Sequence, residues 1–259
     1  MLSSSNARLA AARRLTRRTA RREAGRFLAE GAQAVREALA ADAVLELFAT
    51  AAAIERHAEL TADASEISEK DAAALSETVT PQGLVAVCRT VDVPLASALA
   101  RRPLLVAGLV DSSDPGNAGT ILRTADAAGA GAVIFAGGVD PYNGKAVRAS
   151  AGSLFHLDIV VGVTALELIS AARGAGLQVL ATTGGASADL DDFIDAGRLA
   201  APTLWLFGNE AHGLPAEVIA GADEGVRIPI HGRAESLNLA AAAAISLYAS
   251  ARAHRHPGG

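Results

Sequence analysis

Residues 226–253, VRIPIHGRAESLNLAAAAAISLYASARA, decide how the rest of the chain is read. A short apolar strand (Val226, Ile228, Ile230) runs into a loop, His231-Gly232-Arg233-Ala234-Glu235, and then into a long alanine-rich helix starting near 236. Polar side chains along that helix are few. Asn238, Ser246 and Ser250 share one stripe, and the remainder is Leu, Ala, Ile and Tyr. A helix that is apolar on nearly every side is buried on nearly every side. The expectation is a helix enclosed between its own sheet and a second partner, with a reactive loop at its N-terminus.

Working back from it, strand and helix patterns alternate regularly. Strands are expected at 104–110, 132–135, 157–161, 178–181, 203–207 and 226–230. Helices fill the intervals near 117–128, 143–152, 164–174, 189–197 and 215–220. Repeats of this length imply a parallel sheet covered on both faces. Ligands bind such sheets at the carboxyl ends of the strands. The segment 91–103, with two prolines, reads as a linker. Before it lies a smaller α/β unit, with strands at 27–31, 44–48 and 84–88 and helices at 33–40, 51–59 and 69–75. The expected division is 1–90, a linker at 91–103, and 104–259.

Aromatic residues make up only 3% of the chain, so Ala, Val and Leu carry the core. The net charge of −5 does not advertise nucleic-acid binding by the chain as a whole, but the charges are unevenly placed. Residues 1–27 hold eight arginines against Glu23 alone, whereas 28–79 hold eleven acids against three bases. Arg13, Arg14, Arg17, Arg18, Arg21, Arg22 and Arg26 fall mostly along one side of a helix. Such a stripe is either a solvated face or a phosphate-binding surface. Lys70 and Lys145 are the only lysines, a bias that makes abundance of Arg weak evidence for function. Cys88 is the only cysteine, which excludes a disulfide framework and a thiolate metal site. No run is apolar enough for a membrane span, and the expected setting is soluble, reducing and cytoplasmic.

Three loops at strand ends carry chemistry. Asp114-Pro115-Gly116-Asn117-Ala118-Gly119-Thr120-Ile121-Leu122-Arg123 joins a tight turn to a helix that Asn117 is placed to cap. Arg123 lies one turn above Gly119, over a bare helix N-terminus that favours an anion. Gly137-Gly138-Val139-Asp140-Pro141-Tyr142-Asn143-Gly144-Lys145 fails as a P-loop, because five residues separate Gly138 from Gly144 and Ala146 stands where Ser or Thr is required. Lys145 and Arg148 leave phosphate contact open there. Leu206-Phe207-Gly208-Asn209-Glu210-Ala211-His212-Gly213-Leu214-Pro215 puts Asn, Glu and His between two glycines. Gly208 would let a ligand approach backbone. No strand is followed by GxGxxG, and the nearest Gly-rich turn is Thr182-Thr183-Gly184-Gly185. His212 and His231 lack ligand spacing, so no metal is expected.

Taken in order, Asn117-x-Gly119-x-x-x-Arg123, Phe207-Gly208-Asn209-Glu210-x-x-Gly213-Leu214, and Ile228-Pro229 followed by Ser236-Leu237-Asn238 resemble the three motifs of the SpoU (TrmH-type) branch of SPOUT RNA methyltransferases. The likeness covers about 104–250. The N-terminal unit, with Phe27-Leu28-Ala29-Glu30-Gly31, is similar to the substrate-binding domain, related to ribosomal protein L30e, that many such enzymes carry.

The resemblance implies an α/β fold whose C-terminal parallel-sheet domain forms a deep trefoil knot, an exception to the usual avoidance of knots. It implies S-adenosylmethionine as cofactor, with Gly208, Ile228, Leu237 and Thr183 as its contacts. It implies homodimers joined through the final helix, and methyl transfer to a ribose 2′-hydroxyl of structured RNA, 23S rRNA ahead of tRNA. Arg123 matches the catalytic arginine, and Asn117, Glu210, Ser236 and Asn238 match the polar residues around it. A guanidinium is a poor base, so an electrostatic clamp is the preferred role for Arg123 over a phosphate-assisted base. Arg148 and Lys145 would meet RNA phosphate, as would Arg13, Arg17, Arg18, Arg21 and Arg22. Two other classes remain open: a non-catalytic RNA-binding protein on the same fold, and a small-molecule α/β enzyme.

Overall fold

The computed structural model describes residues 1–78 and 80–255, and the chain forms two compact units. The first comprises Met1–Val91 together with Asp140–His156, and the second Asp92–Val139 with Leu157–Gly259.

In the first unit α1 (Ala7–Arg14) and α2 (Arg18–Ala24) precede β1 (Arg26–Glu30), α3 (Ala32–Ala40), β2 (Val44–Ala49), α4 (Ala51–Arg56), β3 (Ser65–Glu66), α5 (Glu69–Leu75) and β4 (Leu84–Arg89). The sheet order is β1-β4-β2-β3; β4 runs antiparallel to both neighbours, and β3 pairs parallel with β2. Leu9, Leu15, Leu28, Phe48, Leu75 and Val85 close the core on one face. The arginine-rich start is not one helix. The chain turns at Leu15–Arg17, where the Leu15 and Arg17 amides donate back to Ala12 and Arg14, so the arginines divide between two helices instead of forming a stripe.

The second unit holds α6 (Leu95–Ala100), β5 (Leu105–Val110), α7 (Pro115–Ala128) and β6 (Ala132–Ala136). Then comes α8 (Gly144–Ser150), which lies in the stretch that packs with the first unit. The chain continues as β7 (Asp158–Val161), α9 (Ala165–Gly174), β8 (Gln178–Thr182), β9 (Ala188–Asp189), α10 (Leu190–Asp195), β10 (Thr203–Phe207), α11 (Ala216–Gly221), β11 (Glu224–Arg227) and α12 (Leu239–Arg255). All seven strands are parallel, in the order β7-β6-β5-β10-β8-β11-β9. Both faces of the central strands are buried. Val106, Val110, Ile134, Val179 and Leu204 meet α6, α9 and α11, while Trp205 on the opposite face donates from Nε1 to Ser250 Oγ of α12 at 2.9 Å.

Several expectations are corrected. The segment read as a linker contains α6, because Ala98 and Leu99 are buried in the second unit's core. The last strand ends at Arg227, not Ile230, since Pro229 cannot donate to a ladder. The final helix begins at Leu239, not 236, because the Asn238 side chain accepts from the amides of Ala240 and Ala241 and so fixes the cap. Within this chain that helix is covered by the core on one side. Ala240, Ala243, Ser246, Leu247, Ser250 and Ala251 face the core, while Ile245 and Tyr248 are exposed at 41% and 52%.

The candidate active site

The first motif loop follows β5. Asp114, not Asn117, is the N-cap of α7: its carboxylate accepts from the Gly116 amide at 2.7 Å, and Pro115 takes the first helical position, where its missing N–H is no loss. This releases the Asn117 side chain. Its amide donates to Glu210 Oε1 at 3.2 Å, and its carbonyl oxygen accepts from Asn238 Nδ2 at 3.1 Å. One residue from each of the three motifs is thus joined through Asn117.

Glu210 is the hub of the site. Its carboxylate accepts from Ser112 Oγ, Ser113 N and Ser113 Oγ, each at 2.9 Å, from Asp114 N at 3.2 Å, and from Asn117. Burial by itself would raise its pKa. The amides of Ser113 and Glu210 itself, the Asn117 side chain and the Ser112 hydroxyl outweigh that and hold it down to about 2. A carboxylate this fully occupied positions a loop; it has no lone pair left to collect a proton. Sequence reading misses Ser112 and Ser113, whose only signal is a pair of small hydroxyl residues directly after a strand. Asn209 adds a brace, donating from Nδ2 to the Asp111 carbonyl at 2.8 Å.

Gly208 follows β10 directly, at the start of the Glu210 loop. A Cβ there would overlap the backbone of Gly213 and Leu214, because Asn209 and Gly213 exchange backbone bonds at 3.0 and 2.8 Å that close the loop tightly. The glycine is demanded by the chain's own turn. Arg123 lies on the exposed side of α7, and among the described residues no hydrogen bond or ion pair holds its guanidinium. Gly119 beneath it is buried, so the expected bare patch is absent. Ser236 is exposed and likewise unpartnered among the described residues.

The carboxyl ends of β8 and β11 meet where the Thr183 amide donates to the Val226 carbonyl at 3.1 Å. From there residues 228–237 run without regular structure. Among the described residues none of their amides donates to another backbone carbonyl. Ile230 and Leu237 are exposed along this run. Apolar side chains beside unpaired backbone groups suit a ligand with an aromatic base and a polar amino-acid tail, so residues 228–237, Ile228 and Leu237 among them, suit S-adenosylmethionine, while the Thr183 amide is already committed to Val226.

The residues expected to touch RNA fall into distinct environments. Arg14, Arg17, Arg18 and Arg22 are exposed. Arg13 pairs with the buried Asp71. Arg21 is 4% exposed and fully engaged, with Asp140 at 2.7 Å and the Leu15 and Thr16 carbonyls, so it is a packing residue and leaves the set. Arg148 is half-buried and faces Glu30 at 3.3 Å, and Lys145 is exposed. Among the described residues no group of three His, Cys, Asp or Glu side chains could hold a metal ion. His256 lies outside the described residues.

Residues 104–248 match the model of the SpoU rRNA methylase family, and residues 6–86 match the MRM3-like substrate binding domain. The chain is 35% identical over 225 residues to the 23S rRNA (guanosine(2553)-2′-O)-methyltransferase RlmP of Bacillus subtilis, across 86% of this chain and 87% of that one. Among solved structures it resembles the AdoMet-bound rRNA methyltransferase from Sinorhizobium meliloti, with a TM-score of 0.79 and 32% identity over 97% of both chains. It also resembles the SpoU methyltransferase AviRb from Streptomyces viridochromogenes in complex with AdoMet, with a TM-score of 0.81 and 30% identity over 98% of this chain and 99% of that one. With its motif loops joined at Glu210 and Asn117 and its sheet and N-terminal unit matched along nearly the whole chain, the protein belongs to the SpoU rRNA methylase family.

Proposed function

We propose that this chain methylates a ribose 2′-hydroxyl of 23S rRNA, with S-adenosylmethionine as methyl donor. The observation that carries the reading is the network from Glu210 through Asn117 to Asn238, which brings the three motif loops to one place at the carboxyl ends of the strands. The choice of 23S rRNA over tRNA rests on the Bacillus subtilis relative, whose likeness spans both the sheet and the N-terminal unit.

S-adenosylmethionine, when bound, supplies a methyl group already activated on a sulfonium. What remains for the protein is to hold a weakly acidic hydroxyl in line and to stabilise the charge that develops on it. Gly208, Ile228, Leu237 and Thr183 would hold the cofactor, largely through backbone. Arg123, unpaired among the described residues, clamps the target phosphate and stabilises the developing alkoxide. Asn117 and Asn238 position the ribose edge, and Ser236, exposed and unpartnered among the described residues, offers a hydroxyl. Glu210 stays ionised and immobile and keeps Asn117 in place.

The enzyme works as a homodimer. The exposed apolar face of α12, with Ile245 and Tyr248, is the seam, and the exposed Arg14, Arg17, Arg18 and Arg22 gather the RNA. The segments from β10 to α12 thread as the family's trefoil knot, and the substrate places the reaction in the cytoplasm. No helix among the described residues is long and apolar enough to cross a membrane.

Two measurements test the reading. Titration calorimetry should find one S-adenosylmethionine site per subunit. Maps of 2′-O-methylation in total RNA, with and without the protein, should differ at a 23S rRNA nucleotide. A folded sample that binds no cofactor and changes no nucleotide sinks the proposal; a change confined to tRNA moves the substrate.

A further inference from the structure

Gly137 and Gly138 fail as a phosphate-binding loop, yet both have left-handed backbone, with φ of 86° and 71°. Their neighbour in space, at the end of β5, is Asp111, a non-glycine residue at φ 49°. Left-handed backbone outside glycine persists only where the surroundings over-determine it. The surroundings here are specific. A Cβ on Gly138 would overlap the Ser112 carbonyl oxygen and the backbone of Asp111, and a Cβ on Gly137 would overlap the Asp111 carboxylate. The Val139 amide donates to the Ser112 carbonyl at 2.8 Å, and the Asp111 amide donates to the Ala136 carbonyl at 3.2 Å. From the other side Asn209 Nδ2 holds the Asp111 carbonyl at 2.8 Å. Residues 111 and 112 are therefore gripped between two loops, at the one place where a side chain would push them apart.

We infer that Gly138 and Val139 form a buttress that fixes Ser112, so that its fully buried hydroxyl and the amides after it hold Glu210, making Gly138 and Ser112 positioning residues for methyl transfer. This inference rests on the proposed reaction. The path is short: Val139 to the Ser112 carbonyl, Ser112 Oγ to Glu210 at 2.9 Å, Glu210 to Asn117 at 3.2 Å. A side chain at 138 shifts the start of the first motif loop, and an ångström of misplacement in a reacting site costs on the order of a hundredfold in rate. Of the residues that would hold the cofactor, Ile228, Leu237 and Thr183 lie on other loops, and Gly208 stays fixed by the backbone bonds between Asn209 and Gly213.

The test compares the intact wild-type protein with Gly138→Ala and Ser112→Ala, using an unmodified 23S rRNA transcript and S-adenosylmethionine. Methyl transfer, S-adenosylmethionine affinity by calorimetry, and the Glu210 carboxyl titration by ¹³C NMR are measured on each. In wild type the Glu210 carboxyl, held down by its donors, should titrate at about 2. For Gly138→Ala, kcat should fall about a hundredfold while cofactor affinity stays within about threefold, and the Glu210 titration should rise toward the ordinary carboxylate value of about 4.3. Ser112→Ala, nearly isosteric and expected to fold whatever Gly138→Ala does, should raise the Glu210 titration and lower kcat in the same direction. Either folded variant keeping wild-type kcat and an unmoved Glu210 titration overturns the buttress. A wild-type protein with no transfer activity overturns the reaction instead, and the two failures are told apart by that control.

Discussion

At the scale of single residues the site separates two kinds of polar group. Glu210 is ionised and saturated with donors, whereas Arg123 is charged and unpaired among the described residues. A group with no partner in the free protein is free to meet charge that arrives with the substrate or develops during reaction. Arg123→Ala should therefore keep S-adenosylmethionine binding and lose methyl transfer by about a hundred- to a thousandfold, the usual cost of removing one such stabiliser. Calorimetry and single-turnover transfer on the same sample check it, and retained transfer refutes the assigned role. Glu210 carries a prediction of opposite character. Its folded pKa of about 2 lies below the ordinary value of about 4.3, so its contribution is complete above the ordinary value and is lost as pH falls through about 2. An acid limb near pH 5 to 6 in the rate profile would belong to another group. It should persist unchanged in position in Glu210→Gln, whose rate is lower at every pH.

At the scale of elements, α12 shows what a sequence can and cannot tell. Its apolar character is plain in the run of alanines, and its alternation with β11 is a local property that residue pattern reports. Which apolar side chains face the core is not local. Leu247 is buried and Ile245 is 41% exposed, yet the two are alike in composition and two positions apart. The motif loops are legible for the same reason the strands are, since Asp114-Pro115 and Gly208 mark sharp turns by their own chemistry. The hub is not, because Ser112 and Ser113 meet Glu210 across nearly a hundred positions of chain. The Asn117 role is half legible: its polar character is plain, but Asp114 takes the cap and frees Asn117 for the network. The exposed half of α12 carries the dimer proposal. Ile245→Arg together with Tyr248→Glu should convert the homodimer to monomers in sedimentation equilibrium, with a melting temperature changed by only a few degrees, because neither side chain packs in the subunit's own core. An unchanged dimer places the seam elsewhere.

At the scale of the whole molecule the two compact units are not cut from the chain at one point. Asp140–His156 lies within the sequence matched to the methylase family but packs with Met1–Val91, where Tyr142 and Phe155 flank Phe27 at 4.7 and 6.0 Å and Asp140 meets Arg21. Nothing in the sequence pattern of that segment marks the grouping, since a helix with Val147 inward reads the same against any apolar surface. A deletion of residues 1–90 would accordingly strip Tyr142, Phe155 and Arg148 of the partners that cover them, and loss of RNA binding by such a fragment would say little. Charge reversal leaves the packing alone. Arg14, Arg17, Arg18 and Arg22 are exposed, so replacing all four with Glu takes positive charge off the surface without opening a core. Cys88 supplies the control: it is buried in β4, and burial pushes its thiol up to about 12 despite the opposing Arg89, so a thiol reagent should reach it only when the unit unfolds. With Cys88 equally protected in both proteins, the variant should bind an rRNA transcript more weakly. The slope of log affinity against log salt should also flatten by roughly 0.7 to 0.9 for each phosphate that is no longer neutralised. An unchanged slope would mean that these arginines are a solvated face and that RNA is gathered by another surface.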